Sequence, residues 1–578
     1  MAEAPLPDLE RAAPLQSPDE TNQAAGPSQT DGADEDQGEF NGSGNAPAAV
    51  GGGPHSSFLT PVFTNRSQGT TSLRATRSYV DGHGYFNEPE DEPDAPRDIT
   101  VQGSGEKTFE VGWDGPEDSM NPRNLRYARK WMIVIVLAFG SLCVTCTSSL
   151  YTITYGQMNA EFGTSRFTAT IGLATFVFGL GIGPMLLGPL SEFYGRRPIY
   201  IVAYVFFTTW LIPCAVAKNI ETMLAARFFD GLAGSAFLSV AGGTVGDMFN
   251  HDQLQGPMMI YSAAPFLGPS IGPIIGGFIN QYASWRWSYY VLLIWSGIML
   301  LCMIFLIPET YMPVVLRNKA RKLRKETGEE RWKAPIEILD RSVAMTVLRS
   351  LYRPFLLLFL DPMCFNLCLF SSILLGILYL FFGAFNLVFT EVYGFDLHQV
   401  GLSFVGLLIG MILGISSDPL WQRNYRRLIR NNERNTGELK SEPEFRLAPA
   451  IVGAWWCVAG LFWFGWSIYS HVHWIVPELA IAVFGFGLIL VFSGVFTFLV
   501  EAFPLYAASA LAANSFARSS FAGAFPLFGV QMYRKLGFHW ATTLLAFLCL
   551  AMAPFPYVFF VYGKRLRARS RFSARKGS

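Results

Sequence analysis

The sequence predicts an all-α membrane protein with twelve transmembrane helices in two six-helix bundles. Its 578 residues are 51% hydrophobic and only 15% charged, whereas average globular proteins are about 25% charged. The apolar residues come in runs of about 20, the length that crosses a bilayer as a helix. A charged segment separates the first six runs from the last six.

The twelve runs divide the chain into five predicted parts. The runs cover about 131–155, 169–188, 199–217, 223–248, 257–279, 288–307, 364–388, 399–416, 447–469, 474–500, 507–530 and 540–562. The parts are an N-terminal tail (1–120), a first bundle (121–307), a linker (308–360), a second bundle (361–562) and a basic C-terminal tail (563–578). The N-terminal tail is rich in Pro, Gly, Ser and acids, which predicts disorder.

The distribution of Lys and Arg predicts that both tails are cytosolic. These residues concentrate in the linker, in the loop after the eighth run and in the C-terminal tail. With twelve crossings, all three segments lie on the side of the N-terminal tail, and basic loops remain in the cytosol. The plasma membrane is the expected location, and a vacuolar membrane would give the same orientation.

The short loop "GPLSEFYGRRP" between the second and third runs contains a possible conformational latch. Gly188 would allow close helix approach, and Gly195 would permit a sharp turn. Glu192 could accept hydrogen bonds from a helix N-terminus, while Arg196 and Arg197 could pair with acids or with helix C-termini. The plain alternative is that the two arginines only follow the positive-inside rule.

A shorter echo of this loop follows the eighth run. There, "GISSD" also has an acid, Asp418, four residues after a glycine, and the pair Arg426–Arg427 follows it. Such repeated halves are common in secondary transporters. Asp418 therefore joins the predicted latch.

The fifth run, "AAPFLGPSIGPIIGGF", repeats proline and glycine every four residues. A four-residue repeat places each set on one helix stripe; small residues there allow close packing, and proline bends a helix. A hinge or a seal is predicted, with a generic kinked packing helix as the alternative. The residues concerned are Pro265, Gly268, Pro269, Gly272, Pro273, Gly276 and Gly277.

Charged residues within the runs are functional candidates, because charge is costly in a membrane. Arg227 and Asp230 are about one helical turn apart and can face each other. Two interpretations stay open: Asp230 is a proton site, or it only neutralises Arg227. Further along, Glu501 either takes part in transport or pairs with Arg518.

Aromatic side chains in and just after the seventh run suit an apolar, adaptable substrate pocket. The candidates are Tyr379, Phe382, Phe385 and Phe389. Asn386 lies among them, as a pore hydrogen-bond donor or a helix–helix contact. Ordinary packing against other helices or lipid is the alternative for each aromatic residue.

These motifs resemble those of the major facilitator superfamily. "GPLSEFYGRRP" is similar to its signature loop motif, with Glu192 where Asp is commonest. The fifth run resembles its antiporter motif, which is associated with exporters and not with uptake symporters. Arg227 matches the arginine of a motif implicated in proton coupling. The resemblance covers about residues 120–575 and implies the major facilitator fold.

Other stretches resemble the fungal drug:proton antiporter branch of this superfamily. They are "WDGPEDSMNPRNL", "PETYMPVVLRNKARKLRKETG", "EPEFRLAPAIVGA" and "FLVEAFPLYAASALAANSFARSSFAGAFPLF". Glu501 falls where those proteins often carry Asp. The resemblance implies proton-coupled export of antifungal drugs such as azoles and other toxic, largely apolar molecules. Asp230 and Glu501 are then the proton-coupling candidates, with Arg227 tuning Asp230.

Other classes of function find little support in the sequence. It has no GxxxxGK[ST] phosphate loop, no HExxH motif and no spaced Cys/His metal set, so no enzyme activity, metal or cofactor is expected. The proton gradient would supply the energy. Expected partners are small molecules, protons and membrane lipid, with no nucleic acid, and the chain is expected to be a monomer.

Three alternatives to drug export remain. The first is export of one endogenous metabolite or toxin. The second is export of polyamines, against which the small number of intramembrane acids counts. The third is a sensor that signals through the N-terminal tail without transporting anything.

Overall fold

Helices account for most of the described chain. The computed structural model describes residues 97–100, 107–115, 117–250, 253–338, 342–436 and 442–570. The first half contains α1 (Tyr127–Ile153), α2 (Arg166–Tyr194), α3 (Arg196–Val216), α4 (Ile220–Met248), α5 (Gly256–Tyr282) and α6 (Arg286–Leu306). Between the halves lie α7 (Met312–Thr327) and α8 (Val343–Leu360).

The second half contains six more long helices, some with short breaks. They are α9 (Pro362–Tyr393), α10 (Leu397–Arg434), α11 (Pro443–Ser467), α12 (Ile475–Ala502), α13 (Ala507–Leu536) and α14 (Phe538–Ala568). Short helices cover Tyr155–Phe162 and Pro335–Ile338. The strands are β1 (Arg97–Thr100), β2 (Lys107–Glu110) and β3 (Trp332–Lys333).

Capping residues and glycines determine where several helices begin and end. Ser165, Asn219 and Asp361 each accept a hydrogen bond from the backbone N–H three residues later, at the starts of α2, α4 and α9. Such caps satisfy N–H groups that have no partner within the helix. Gly163 and Gly394 adopt left-handed conformations, with φ of 63° and 68°, which end the preceding helices.

Each half is a bundle of six helices. In the first half α1 packs along α5 and α2 along α4; in the second, α9 packs along α13 and α11 along α12. The halves meet where α2 contacts α13 and where α5 contacts α10. The predicted all-α architecture of two six-helix halves is confirmed.

The ends of the long helices lie on two faces: the linker face, on the side of α7 and α8, and the opposite face. On the linker face, the Glu309 carboxylate accepts hydrogen bonds from the start of α3, and Arg567 Nε in α14 lies 2.7 Å from Glu444 Oε1 at the start of α11. On the opposite face, Gln157 Nε2 donates to the Asn280 carbonyl at the end of α5, at 2.8 Å.

The contacts of α8 and α13 indicate which of these two helices crosses the membrane. Twelve helices among the described residues are long and apolar enough to cross a membrane, a set that includes α8 and leaves out α13. However, α13 packs along α9 and α2, as a crossing helix does. By contrast, α8 is the last part of the linker, and the residue that follows it, Asp361, accepts a hydrogen bond from Ser570 beyond α14. The contacts therefore favour α13 as the crossing helix and α8 as a helix along the linker face.

The surface of α8 suits that position. Its large exposed apolar residues recur every three or four positions and so form one stripe, which consists of Met345, Leu348, Tyr352, Leu356, Phe359 and Leu360. An amphipathic helix with such a stripe lies in the plane of a membrane surface.

Two predicted features fall within helical segments. After "GISSD" the chain does not turn as it does at Gly195; Asp418 begins a helical extension of α10. Pro419 occupies the first turn of that extension, where no helical hydrogen bond is lost. The predicted C-terminal tail, 563–578, begins inside α14, and residues 571–578 lie outside the described residues.

The end of the predicted disordered tail needs correction, because it folds against the linker. Strand β2 pairs antiparallel with β1 and parallel with β3. Val111 and Trp113 are buried against Met312 and Leu316 of α7. A distant part of the chain supplies this apolar surface, so the local composition did not reveal it. Residues 1–96 of the predicted tail lie outside the described residues.

Lys319 clamps this segment to α7. Its Nζ donates to the Gly112 carbonyl at 3.0 Å and lies 2.8 Å from a carboxylate oxygen of Asp118 and of Asp114. Burial tends to raise the pKa of Asp118. Hydrogen bonds from Lys319 and from two backbone N–H groups outweigh that effect and hold this pKa below its usual value.

Replacing Lys319 by methionine is expected to release residues 109–118. Chymotrypsin should then cleave after Phe109 or Trp113 about tenfold faster, because the local opening free energy falls. The increase should be the same at pH 5.5 and pH 8. A lowered pKa keeps Asp118 ionised at both pH values. The contribution of Asp118 to holding the segment is lost only as the pH falls below about 4.

The matched control is Lys322→Met, because Lys322 is 71% exposed on the same helix. It should leave the cleavage rate unchanged. Equal cleavage of the Lys319→Met variant and the native chain would show that the clamp does not hold the segment.

Candidate functional site

Arg227 and Asp230 are completely buried in α4, each with a side-chain exposure of 0%. Arg227 Nη1 lies 4.0 Å from Asp230 Oδ2, which is too long for a hydrogen bond. Neither carboxylate oxygen of Asp230 has a hydrogen-bond partner among the described residues. The structure brings the two side chains together as their spacing predicts. Their interaction is electrostatic, without a hydrogen bond between them.

The Arg227 guanidinium binds α1 instead. It donates to the carbonyls of Thr147 at 3.0 Å and Ser148 at 3.4 Å. Its Cζ lies 4.4 Å and 4.3 Å from the ring centres of Tyr151 and Phe176. Arg227 is therefore held between two rings and joins α4 to α1.

Ser148 extends this chain of contacts to the second half. Its hydroxyl is 3.0 Å from the hydroxyl of Tyr379 in α9. Three successive contacts, Asp230 to Arg227, Arg227 to Ser148 and Ser148 to Tyr379, thus connect a buried acid with the boundary between the halves.

Glu501 lies apart from this pair, on the linker face at the end of α12. Its Oε1 is 2.7 Å from Arg446 Nε, and its side chain is 29% exposed. The alternative pairing of Glu501 with Arg518 is wrong. Arg518 lies eleven residues into α13, about 16 Å along that helix, and contacts aromatic rings instead.

At the predicted latch, Gly195 makes the turn between α2 and α3 with φ of 104°. A Cβ there would collide with the Glu309 carboxylate. That carboxylate accepts hydrogen bonds from the backbone N–H of Arg196 at 2.9 Å and of Arg197 at 3.2 Å. Glu309 therefore takes the helix N-terminal position that the sequence suggested for Glu192, where negative charge is stabilising.

The Arg196 side chain extends the latch to α4. Its Nε donates to Asp247 Oδ2 at 3.2 Å, its Nη1 to Ser191 Oγ at 2.6 Å, and its Cζ lies 4.7 Å from the centre of the Tyr311 ring. These partners belong to the first half and the start of the linker. The latch thus joins the ends of α2, α3 and α4 to the linker.

The remaining latch candidates are Arg197, Glu192, Gly188 and Asp418. Arg197 Nη2 donates to the Ile304 carbonyl at 2.9 Å, and Glu192 is partly buried. The packing reason given for Gly188 is wrong in this conformation, since a Cβ there would meet no atom within 4 Å. Asp418 is partly buried at the linker face.

The glycine stripe of α5 faces α1. A Cβ on Gly268 would lie 3.0 Å from the backbone nitrogen of Cys146. On Gly272 it would lie 2.8 Å from the Cys146 carbonyl, and on Gly276 it would lie 3.2 Å from Leu150 Cγ. The stripe is therefore a close helix contact, as its spacing predicts.

The end of the same motif contacts the other half. A Cβ on Gly277 would lie 3.0 Å from the Leu397 carbonyl, and one on Gly401 would lie 2.5 Å from the Pro273 carbonyl. Pro265, Pro269 and Pro273 all lie inside the continuous helix α5. The motif thus closes the boundary between α5 and α10 near the opposite face.

The aromatic candidates form a packed cluster inside the second half. Tyr379, Phe382, Phe385 and Phe389 are at most 3% exposed. The Phe385 ring lies 4.8 Å from that of Phe404 in α10. In this conformation these rings pack together rather than line an open pocket.

Asn386 and Tyr379 differ from the rest of that group. Asn386 is partly buried, and its Oδ1 accepts a hydrogen bond from Thr390 at 3.3 Å within α9. Tyr379 reaches the first half through Ser148.

A small cavity of about 130 Å³ lies between α2 and α13 near the opposite face. Its lining includes Arg166, Thr170, Pro526 and Arg534. Drug-sized ligands need about 300–1,000 Å³, so this cavity does not hold one.

Sequence reasoning missed several polar residues. Glu309, Asp247 and Arg446 became visible only with their partners, which are distant in sequence. Glu478 is 8% exposed in the first turn of α12, and its Oε1 has no hydrogen-bond partner among the described residues. A signal for it existed, because it is an acid inside the apolar run "VPELAIAV".

A comparison with protein families identifies the chain. The family whose sequence pattern matches is described as the Major Facilitator Superfamily, and the match covers residues 137–526. The chain belongs to the major facilitator superfamily. It is therefore a multi-pass membrane transporter of small molecules and not an enzyme, and the predicted resemblance to this superfamily is confirmed.

Curated relatives in fungi cover most of the chain. "Efflux pump atB" of Aspergillus terreus is 54% identical, over 82% of this chain and 91% of that protein. "Probable drug/proton antiporter YHK8" of Saccharomyces cerevisiae is 42% identical, over 81% and 90%. "Major facilitator superfamily multidrug transporter mdrA" of Aspergillus fumigatus is 40% identical, over 83% and 78%. The chain is thus similar to fungal efflux pumps and antiporters of this superfamily.

Solved structures show the same fold. The xylose transporter XylE of E. coli, in a partially occluded inward-open conformation, gives a TM-score of 0.52 at 16% identity and covers 74% of this chain and 99% of that one. The human organic anion transporter MFSD10 gives the same TM-score, identity and coverage. The major facilitator fold predicted from the motifs is confirmed.

Replacing Glu309 by alanine is expected to open the latch. The N–H groups of Arg196 and Arg197 would lose a charged acceptor, which costs about 1–2 kcal/mol at a helix N-terminus. Transport by this superfamily member should fall several-fold, and the melting temperature should drop by a few degrees. Uptake and efflux assays together with thermal melts of the purified protein measure both effects.

Glu309→Gln should be intermediate, because it keeps the oxygen acceptor without the charge. Glu329→Ala is the control, since Glu329 is exposed beyond the end of α7. If Glu309→Ala behaves like Glu329→Ala, the latch has no part in transport.

Proposed function

We propose that the chain is a proton-coupled exporter of antifungal drugs, such as azoles, and of other toxic, largely apolar small molecules. The observation that carries the proposal is the buried Arg227–Asp230 pair, which contacts connect to the boundary between the halves. The relatives named as an efflux pump and as a drug/proton antiporter support it.

The buried pair provides a way to couple a proton to movement. When Asp230 takes up a proton, Arg227 loses the opposite charge that offsets the cost of its burial. Arg227 then shifts relative to α1, to which the Thr147 and Ser148 carbonyls bind it. Ser148 transmits this shift to Tyr379 across the boundary. Proton binding and substrate binding thereby favour different arrangements of the two halves.

The latch and the α5 motif hold the arrangement seen here. Glu309 fixes the start of α3 on the linker face, and Gly277 and Gly401 allow α5 and α10 to touch near the opposite face. Opening toward the opposite face requires the α5–α10 contact to separate while the linker side closes. Export follows from this alternation, with the inward proton gradient as the energy source and no cofactor.

The proposed orientation places the linker face in the cytosol. The linker face carries the basic segments of α7, of the end of α10 and of α14, and such segments stay cytosolic. Both termini are then cytosolic. We place the transporter in the plasma membrane as a monomer; a vacuolar membrane would have the same orientation.

A second candidate function is export of one endogenous metabolite. It is favoured by Arg518, a charged group at the boundary of the halves that would select among substrates. The same residue counts against polyamine export, because a cationic substrate would need an acid there.

Efflux from yeast lacking its own drug pumps tests the proposal. Cells expressing the chain should extrude an azole, cycloheximide and a fluorescent dye, and a protonophore should abolish this. No efflux of any compound, with the protein at the cell surface, would reject the proposal. Efflux of one compound class only would favour the second candidate.

A truncation separates transport from sensing. A chain lacking residues 1–96 keeps the segment that folds on α7 and should still extrude drugs. If the truncated chain no longer supports yeast growth in the presence of drug while its drug efflux in vesicles is unchanged, the sensor interpretation is favoured.

A further inference from the structure

We propose that Arg518 is an anion-binding subsite in the transport path, so that favoured substrates are flat, apolar molecules carrying one carboxylate. This inference rests on the proposed export function and names a substrate class for it. The subsite consists of Arg518 and Asn514 of α13, Phe266 of α5, and Phe492 and Phe496 of α12.

Arg518 stands at the boundary of the two halves. Its neighbour Ser519 lies directly against Gly181 of α2, where a Cβ would be 2.6 Å from Ser519 Cβ. Phe516 lies two residues before Arg518, and its ring is 6.1 Å from that of Phe178 in α2. Transporters of this architecture bind substrate between their halves, near the middle of the membrane, which is where α13 presents Arg518.

Aromatic rings from both halves surround the guanidinium. Arg518 Cζ lies 5.7 Å from the ring centre of Phe266, 5.5 Å from that of Phe492 and 4.8 Å from that of Phe496. Phe266 and Phe492 stack on each other at 4.8 Å. These faces attract the cation and also offer a flat apolar surface for a ligand.

Within the described part of the chain, the Arg518 guanidinium has no oxygen partner, and its buried Nε donates no hydrogen bond. Arg227 differs, since its Nη1 and Nη2 donate to two carbonyls and it lies near an acid, although its Nε is also without a partner among the described residues. Rings offset only part of the cost of a partly buried cation whose Nε donor is unused. A bound anion would supply the missing charge and acceptors.

A second unused polar atom lies one turn earlier. Asn514 is 1% exposed; its Nδ2 donates to Ser371 Oγ at 2.8 Å, and its Oδ1 has no partner among the described residues. Residues four apart lie on the same side of a helix. The subsite therefore combines a donor for an anion with an acceptor for a hydroxyl or amide group.

These features define the ligand chemistry. A carboxylate matches the planar guanidinium, which can donate two parallel hydrogen bonds to it. The rings suit an aromatic or otherwise flat apolar body beside that carboxylate. The acid is ionised at neutral pH, since carboxyl groups have pKa values of about 4, whereas its amide carries no charge.

The test uses 2-naphthoic acid and its uncharged primary amide with the full-length protein in proteoliposomes. The native chain should transport the acid with a KM at least about tenfold below that of the amide, the scale of a charge-assisted hydrogen bond. Arg518→Gln should raise the KM of the acid by about tenfold or more and leave that of the amide within about twofold. Arg518→Lys, which keeps the charge, should recover part of the difference.

Arg534→Gln, on the same helix near the opposite face, is the matched control and should change neither KM. A native chain that prefers the amide, or an Arg518→Gln variant that affects acid and amide equally, would overturn the inference. The comparison of the acid with the amide in the native chain needs no variant, so it tests the inference even if Arg518→Gln does not fold. If azole efflux occurs but the acid is not taken, this inference fails while the proposed function stands; if nothing is transported, the proposed function fails.

Discussion

Replacing Arg227 by alanine is expected to abolish gradient-driven efflux and to lower the amount of folded protein. The change removes both hydrogen bonds to α1 and leaves Asp230 buried without its cation. Breaking a buried pair by removing one partner costs about 3–5 kcal/mol. Efflux assays at matched surface level and thermal melts of the purified protein measure the two losses.

A double variant separates stability from coupling. Arg227→Met with Asp230→Leu removes both charges, and apolar replacement of a buried pair is often neutral or stabilising. It should recover most of the melting temperature without recovering proton-driven efflux. Either normal efflux by the double variant or undiminished resistance with Arg227→Ala would remove the pair from the mechanism.

Replacing Gly272 by valine is expected to prevent stable folding. The new Cβ would lie 2.8 Å from the Cys146 carbonyl and 3.0 Å from the Leu150 backbone nitrogen, and backbone atoms in a helix cannot move aside. Overpacking costs about 1–3 kcal/mol in cores, and valine adds further atoms at this contact. Expression, gel filtration and the melting temperature report the effect.

The control is Gly297→Ala in α6, where a Cβ would meet nothing within 4 Å. Alanine favours a helix over glycine by about 1 kcal/mol, so this variant should be neutral or slightly more stable. If Gly272→Val melted like Gly297→Ala, close packing of α1 and α5 would not be the role of the stripe.

Features with a local pattern could be predicted from the sequence. Apolar runs identified the helices, a four-residue repeat placed Gly268, Gly272 and Gly276 on one contact stripe, and a three-residue spacing brought Arg227 and Asp230 together. Each depends only on the geometry of one helix. The confirmed fold follows from the same patterns together with the family motifs.

Pairings between distant segments could not be predicted in this way. Glu309 reaches Arg196 across 113 residues, and Arg446 reaches Glu501 across 55; no periodicity connects such positions. The docking of Val111 and Trp113 on α7 was missed for the same reason.

We expect proton flow to drive export through Asp230. Purified protein in proteoliposomes, with an imposed pH gradient and a labelled azole, allows this to be measured. The native chain should move the azole against its concentration gradient only while the pH gradient lasts, and Asp230→Asn should exchange azole without concentrating it. Concentrative transport by Asp230→Asn, or transport by the native chain that ignores the pH gradient, would rule out this role of Asp230.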